Sequence, residues 1–234
     1  EALREVERLK KELEIAKADK TNLSLYNEAV NTLNATEWVE KGVSLRRAGR
    51  YKEALEAFDR AIHLDPNYAR VYGSRASTWH DIGNYREAVS DLDRAIQLDP
   101  KNAGAYAFRG IVFEKLGDHR QAIKDYDRAI QLDPKDAWVY GFRGAAYKYL
   151  GNYRQAIRDL DRAIQLGPKN AAHYRLRGLA YALLGDYRQA IRDLDRAIQL
   201  DPKDAWGYSA RGNTHALFGD HRQAAEDFKS AARL

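Results

Sequence analysis

The chain has 234 residues, 44% hydrophobic and 11% aromatic, which is enough apolar surface for one or two ordinary cores and excludes general disorder. Its 39 basic and 34 acidic side chains leave a net charge of +5 but are finely mixed, as in "RDLDRA", so no block of one sign marks a tail or a polyanion-binding stripe. Cysteine is absent, which excludes disulfides, thiolate zinc sites and a cysteine nucleophile.

Glu1 opens no signal-peptide pattern and no apolar run approaches twenty residues, so the expectation is a soluble, cytoplasmic chain without a membrane partner. Methionine is absent too. The original start is therefore expected to have been removed, and a chain with neither sulfur residue also fits an engineered origin. In residues 1–34, "EALREVERLKKELEIA" sets Leu3, Val6, Leu9 and Leu13 in a helical stripe on a charged segment. A second helix is expected from Thr21 or Asn22, carrying Leu25, Ala29, Val30 and Leu33. Two readings stand: a helical cap on the periodic region that begins at Ala35, or a self-association segment with coiled-coil spacing.

From Ala35 onward the chain is periodic. Pro66, Pro100, Pro134, Pro168 and Pro202 are its only prolines, each 34 residues from the next, and they divide it into units 35–68, 69–102, 103–136, 137–170, 171–204 and a partial 205–234. Residues 155–170 return at 189–204 with two changes. An enzyme gathers unlike groups around one site, whereas a stack of equal packing units needs the same residues at each step. The unit "AWVYGFRGAAYKYLGNYRQAIRDLDRAIQLGPKN" reads as two helices. Tyr140, Gly144 and Tyr147 share one face of the first, which Gly151 closes. Asn152 suits the cap of the second, with Gln155 completing a capping box, and Asp118/Gln121, Asp186/Gln189 and Asn84/Glu87 repeat the arrangement. Ala156, Leu160, Ala163 and Ile164 line the second helix until Pro168 bars its continuation.

These residues carry a resemblance to the tetratricopeptide repeat family, over about residues 35 to 234. Its pattern of aromatic, small, aromatic, Ala, large apolar, Ala and Pro appears as Tyr140, Gly144, Tyr147, Ala156, Leu160, Ala163 and Pro168, and in the sixth unit as Tyr208, Gly212, His215, Ala224, Phe228 and Ala231. The resemblance implies an all-α fold, a right-handed superhelical solenoid of helix–turn–helix repeats whose first helices line a peptide-binding groove. One departure is an arginine where the family has Leu: Arg75, Arg109, Arg143, Arg177 and Arg211, with Lys41 in the first unit. Each accompanies an acidic pair such as Asp91/Asp93 or Asp159/Asp161. Either the guanidinium groups await an anionic ligand, or each pairs bidentately with an aspartate of the preceding repeat; the matching period favours the second.

By the same resemblance, the inward places include Val39, Val43, Gly73, Ser77, Phe108, Ile111, Trp138, Phe142, Ala145, Tyr149, Arg175, Leu176, Leu179, Trp206 and Asn213. The family's clamp for acidic chaperone tails needs Lys, Asn and Arg where this chain has Gly73/Ser77, Phe108 and Trp138/Phe142, so that partner is not expected. An extended or helical peptide with apolar side chains is.

The six histidines are scattered without metal-ligand spacing, no "GxxxxGK" cradles a phosphate and no nucleophile elbow occurs, so neither metal, cofactor nor catalysis is expected. Nucleic acid is disfavoured because the inner wall offers Gly, Ala and Leu where a base-reading code needs paired polar groups. At the end, "HRQAAEDFKSAARL" is expected to leave Phe228 on an open face, which favours self-association. The expected function is a non-enzymatic scaffold for protein or peptide. The alternative is a structural, self-assembling homo-oligomer of natural or engineered origin, joined through residues 1–34 and the C-terminal helix.

Overall fold

The computed structural model describes Arg8 and residues 33–234, so both readings of residues 1–34 concern a stretch that lies, but for Arg8, Leu33 and Asn34, outside the described residues. The described residues form twelve helices and no strands, in two compact units divided after Lys101. The first unit holds α1 (Ala35–Arg47), α2 (Tyr51–Leu64), α3 (Ala69–Asp81) and α4 (Tyr85–Leu98). The second holds α5 (Ala103–Lys115), α6 (His119–Leu132), α7 (Ala137–Tyr149), α8 (Tyr153–Leu166), α9 (Ala171–Leu184), α10 (Tyr187–Leu200), α11 (Ala205–Phe218) and α12 (His221–Ala231). The architecture is all-α: consecutive helix–turn–helix repeats, each odd-numbered helix packing on its own partner and, within its unit, on the even-numbered helix before it. The odd-numbered helices also touch one another, α1 on α3, and α5, α7, α9 and α11 in series, so they share one face of their unit.

The turn inside each repeat is set by glycine. Gly151 sits at φ +77°, a left-handed conformation that a Cβ would strain, and the N–H of Asn152 then reaches back to the carbonyl of Tyr147 at 2.9 Å. The start of the second helix departs from expectation. Asp118, Asp186 and Asp220 accept from the backbone N–H three residues on, but Asn84 and Asn152 do not cap. Gln155 and Gln189 do not complete boxes either; their side chains accept from Arg158 and Arg192 instead. The full capping box is at Asn34 and Glu37, opening α1.

Helices within a repeat approach until a glycine on the first meets a large side chain on the second. A Cβ built on Gly110 would lie 2.5 Å from the Tyr126 ring, and one on Gly42 equally close to Phe58; Gly212 faces Phe228 at 2.9 Å. Repeat two places the larger Ala76 and the smaller Leu92 at these two registers, and both are buried. Where the second helix brings an aromatic ring, only glycine leaves room for it.

Every full repeat after the first also buries one aspartate: Asp91, Asp125, Asp159 and Asp193, with Asp227 in the last. Arg143 holds Asp159 through Nε and one terminal nitrogen at 2.7 and 2.8 Å, and its other terminal nitrogen donates to Asp127 of α6 at 2.6 Å. Arg75, Arg177 and Arg211 repeat both contacts, and Arg109 holds Asp125 in the same forked way. The expected order of partners is thereby corrected. The bidentate bond is to the aspartate of the arginine's own repeat, sixteen residues on, and the preceding repeat receives the single bond. Each guanidinium also rests on the tyrosine one turn earlier, as Arg143 does on Tyr140 at 5.6 Å. Burial works against the Arg143 charge, but the bonds and charge of Asp159 and then Asp127 outweigh it and hold its pKa above the ordinary value. These arginines are consumed by packing and are not a ladder awaiting an anion.

Both kinds of joint can be tested by substitution. Replacing Asp159 by Ala strands a half-buried guanidinium and lowers unfolding free energy by about 3 kcal/mol in urea titration. Gly110→Ala costs about 1–3 kcal/mol, and adding Tyr126→Leu, which recreates the Ala76/Leu92 pair, recovers most of it. A Gly110→Ala chain as stable as the wild type would refute the close approach.

Candidate functional site

The face shared by α5, α7, α9 and α11 carries the largest exposed aromatic groups of the second unit. Asp136 and Asp204 cap α7 and α11 by accepting from the N–H of Trp138 and Trp206, which fixes both tryptophans in the first turn of their helices. Trp138 is 56% exposed and Trp206 54%, unusual for so large an apolar group. Trp138 lines an open cavity of about 910 Å³. Its walls are the start of α7 with Trp138, the turn 167–170, the first turn of α9 with His173 and Arg175, and the end of α10 at Leu200 and Asp201. Arg175 is salt-bridged to Asp204 and lies 4.4 Å over the Trp206 ring. The Arg175 side chain of this wall is thus held in place by a carboxylate and an indole.

His173 is only 2% exposed and stands edge-on to Trp138 at 5.5 Å. A Cβ on Gly141 would meet its Nε2 at 2.8 Å, so the glycine makes the space the ring fills. Burial pushes the His173 pKa below its ordinary value, which keeps the ring neutral, and its Nε2 lies 3.4 Å from the Asn170 amide nitrogen. Phe142 lies 6.3 Å from Trp138 and 6.0 Å from Tyr126, packed with Ile111 against the core of repeats three and four. Trp138 therefore sits on a rigid aromatic base.

The remaining expected wall residues divide. Val39 is 0% exposed, sealed into the first unit's core with Leu33, Trp38 and Phe58, because α1 packs there on Leu33 as well as on α2 and α3. It is core, which corrects its expected place on a wall. Val43 packs half-buried on the same core. Gly73 is open, and the Ser77 hydroxyl donates to its carbonyl at 3.0 Å, leaving a plain polar stretch on α3. In the second unit, Leu176 packs on the α8 core; Phe108, Ala145 and Leu179 are half-buried. Tyr149 is exposed and stacks on His119 at 4.8 Å, and Asn213 is exposed on α11.

Sequence reasoning passed over the charged groups of this face. Glu114 on α5 and Lys148 on α7 occupy one repeat register, 34 apart, the register that Arg46 and His80 hold earlier. Tracing that register along the chain would have found them. Burial pushes the Glu114 carboxyl from 4.5 up to about 7, against the smaller opposing pull of the Tyr126 hydroxyl and of Lys115 and Lys148. Burial, then the charge of Arg175, lowers the Lys148 pKa against the attraction of Glu114.

Three family models for tetratricopeptide repeats match the chain: one at residues 35–68 and 103–136, one at 78–117 and one at 146–211. No curated protein matches it. Among solved structures, MamA protein is similar at 27% identity and TM-score 0.66, over 73% of this chain and 93% of its own. MamA from Desulfovibrio magneticus RS-1 is similar at 25% identity and TM-score 0.66, over 71% and 94%. YrrB, described as a TPR protein with an unusual peptide-binding site, matches at 20% identity and TM-score 0.65, over 86% and 97%, and so shows the fold alone.

The raised Glu114 pKa has a measurable consequence. The folded chain holds this proton more tightly than the unfolded one, so the site's contribution to stability is full below pH 4.5 and is lost as pH rises through about 7. Glu114→Gln should gain about 1–2 kcal/mol over wild type at pH 8, allowing for partial solvent screening, and nothing at pH 4.5. Chemical denaturation at the two pH values measures the difference.

Proposed function

Because the chain belongs to the tetratricopeptide repeat family, we propose that it is a non-catalytic binding scaffold. Its ligand is a protein or peptide segment with apolar side chains, seated on the face of α5, α7, α9 and α11. The observation that carries this reading is Trp138. The indole stands more than half exposed over a cavity of about 910 Å³, braced by Phe142 and His173, while Arg175 of the cavity wall lies over a second exposed indole, Trp206. A rigid aromatic anchor beside an open cavity is how binding energy is concentrated in few residues. The cavity is large enough for one or two bulky side chains, and Lys169, Asn170 and Asp201 around it offer partners for a peptide backbone. The peptide-binding site named for YrrB lends support at the level of the fold only.

A second reading, copies of the chain associating as a structural oligomer, has one observation in its favour: Leu217, Phe218 and Phe228 of the last repeat are exposed. Sedimentation at high concentration tests it; monomer alone would count against it.

The test of the groove is a peptide library screened against wild type and Trp138→Ala. Phe142 supports the core and Trp138 does not, so the single variant keeps its fold and isolates the surface. Selected peptides should bind Trp138→Ala at least tenfold more weakly, as loss of an aromatic anchor requires. Undiminished binding would show that the ligand sits elsewhere.

A further inference from the structure

The even mixing of charge along the sequence does not survive folding. Residues 102–234 carry 22 basic and 16 acidic side chains against 17 and 18 in residues 1–101, so the positive excess belongs to the second unit. Within it, the second helices α6, α8 and α10 sort their charges by depth. Asp125, Asp159 and Asp193 are buried, Asp127, Asp161 and Asp195 are half-buried, and all six are held by arginines of the first helices. What these helices expose is only cations and glutamines: Arg154, Arg158 and Arg162 on α8, with cations at the same three places on α6 and α10.

All nine cations are arginine except Lys124. Where these side chains bond, the acceptor is a neutral amide: Arg158 donates to Gln155 at 3.1 Å and Arg162 to Gln165 at 3.3 Å, and the same pairs recur on α10. Their charge is left for something else to meet. The first unit has no such sorting, since α2 and α4 expose Glu53, Glu56, Asp59 and Glu87 among their cations. Each of α6, α8 and α10 is packed from behind by the first helix of its own repeat and by that of the next. The cationic face is therefore outer surface of the stack and not an open end.

We infer that the outer face of α6, α8 and α10 is a docking surface for duplex DNA, gripped through its phosphates with no base read. Guanidinium forks match phosphate oxygens, and successive arginines along α8 stand about 6 Å apart on the helix axis. A protein partner would be held by apolar anchors, and a membrane by apolar side chains sunk between its headgroups; these helices expose neither. A single strand needs rings on which to stack its bases, and none is exposed there. On α8 and α10 every glutamine oxygen is already taken by an arginine, leaving none to accept from a ribose 2′-hydroxyl. Duplex DNA is the partner whose binding asks only that phosphates meet cations. The expectation against nucleic acid concerned base reading on the inner wall, whereas this face reads no base. It is separate from the Trp138 cavity, and neither depends on the other.

The probe is a fluorescent DNA duplex of about two dozen base pairs, titrated with the full chain. Affinity should be the same for unrelated sequences and fall roughly a hundredfold between about 50 and 200 mM salt, the mark of about four phosphate contacts. Arg154→Gln, Arg158→Gln and Arg162→Gln together should weaken binding about tenfold and lower the salt slope by about 2–3, while the same three changed to Lys keep most of it. All three are exposed, so both variants keep the fold. Taking equal charge from Lys115, Lys135 and Lys203, exposed away from these helices, should cost less than about threefold, and Trp138→Ala nothing. No binding by wild type, equal losses from the two sets of glutamine replacements, or tighter binding of an RNA duplex or a single strand would each overturn the inference. So would phosphatidylserine vesicles that displace the duplex, since a membrane would then be the occupant.

Discussion

A carboxylate buried once in every repeat after the first is the constraint on which the described structure turns. Left alone, Asp159 would lose several kcal/mol of hydration on burial. The fork of Arg143 satisfies both its oxygens, and because the fork is planar and rigid it also fixes the rotation of α7 against α8. The third contact, to Asp127, ties that pair to the repeat before it. One side chain therefore sets both the geometry within a repeat and the step between repeats. A ladder of such joints has little freedom to drift, so the family's leucine can be absent without loosening the stack.

With orientation fixed in this way, the close approaches become predictable. Gly110 must lie under Tyr126 and Gly141 must lie under His173, and neither side chain has another place to go. The residues left over by these demands face outward on the odd-numbered helices. There the chain is free to vary: polar with paired charges on α1 and α3, where Arg46 bonds Asp81 and Arg70 bonds Glu40, and aromatic from α7 to α11. The difference between the two units is thus a difference of surface.

The repeat, its two helices and their glycine turn were legible because each is written by a residue with a backbone effect, above all the proline at Pro168 and the glycine at Gly151, which recur five and six times. The site was legible less evenly. Trp138, Trp206 and Arg175 could be placed on the shared face by the register that the family resemblance supplies. Register could not say that Val39 is buried, since that depends on Leu33 and Trp38 packing around it, outside the period. Nor could it order the partners of Arg143, because two aspartates, sixteen residues before and after, match its period equally well; only the depth of burial separates Asp159 from Asp127. Glu114 and Lys148 were readable in principle, yet a search for apolar anchors passes over charges.

The exposure of Trp138 can be weighed against what the rest of the fold achieves. Every other large side chain near it has been given a recess: Tyr126 under Gly110, His173 under Gly141, Phe142 between two helix pairs. Leaving an indole half in water forgoes about 1–2 kcal/mol of burial. A chain that places glycines to seat Tyr126 and His173 leaves this ring at the rim, in the first turn of the helix that Asp136 caps. On the proposed reading, the forgone burial would be recovered when a partner's side chain closes over the ring. Since the indole is already braced by Phe142 and His173, little of its entropy would be lost in that closure, which is how preorganisation favours binding.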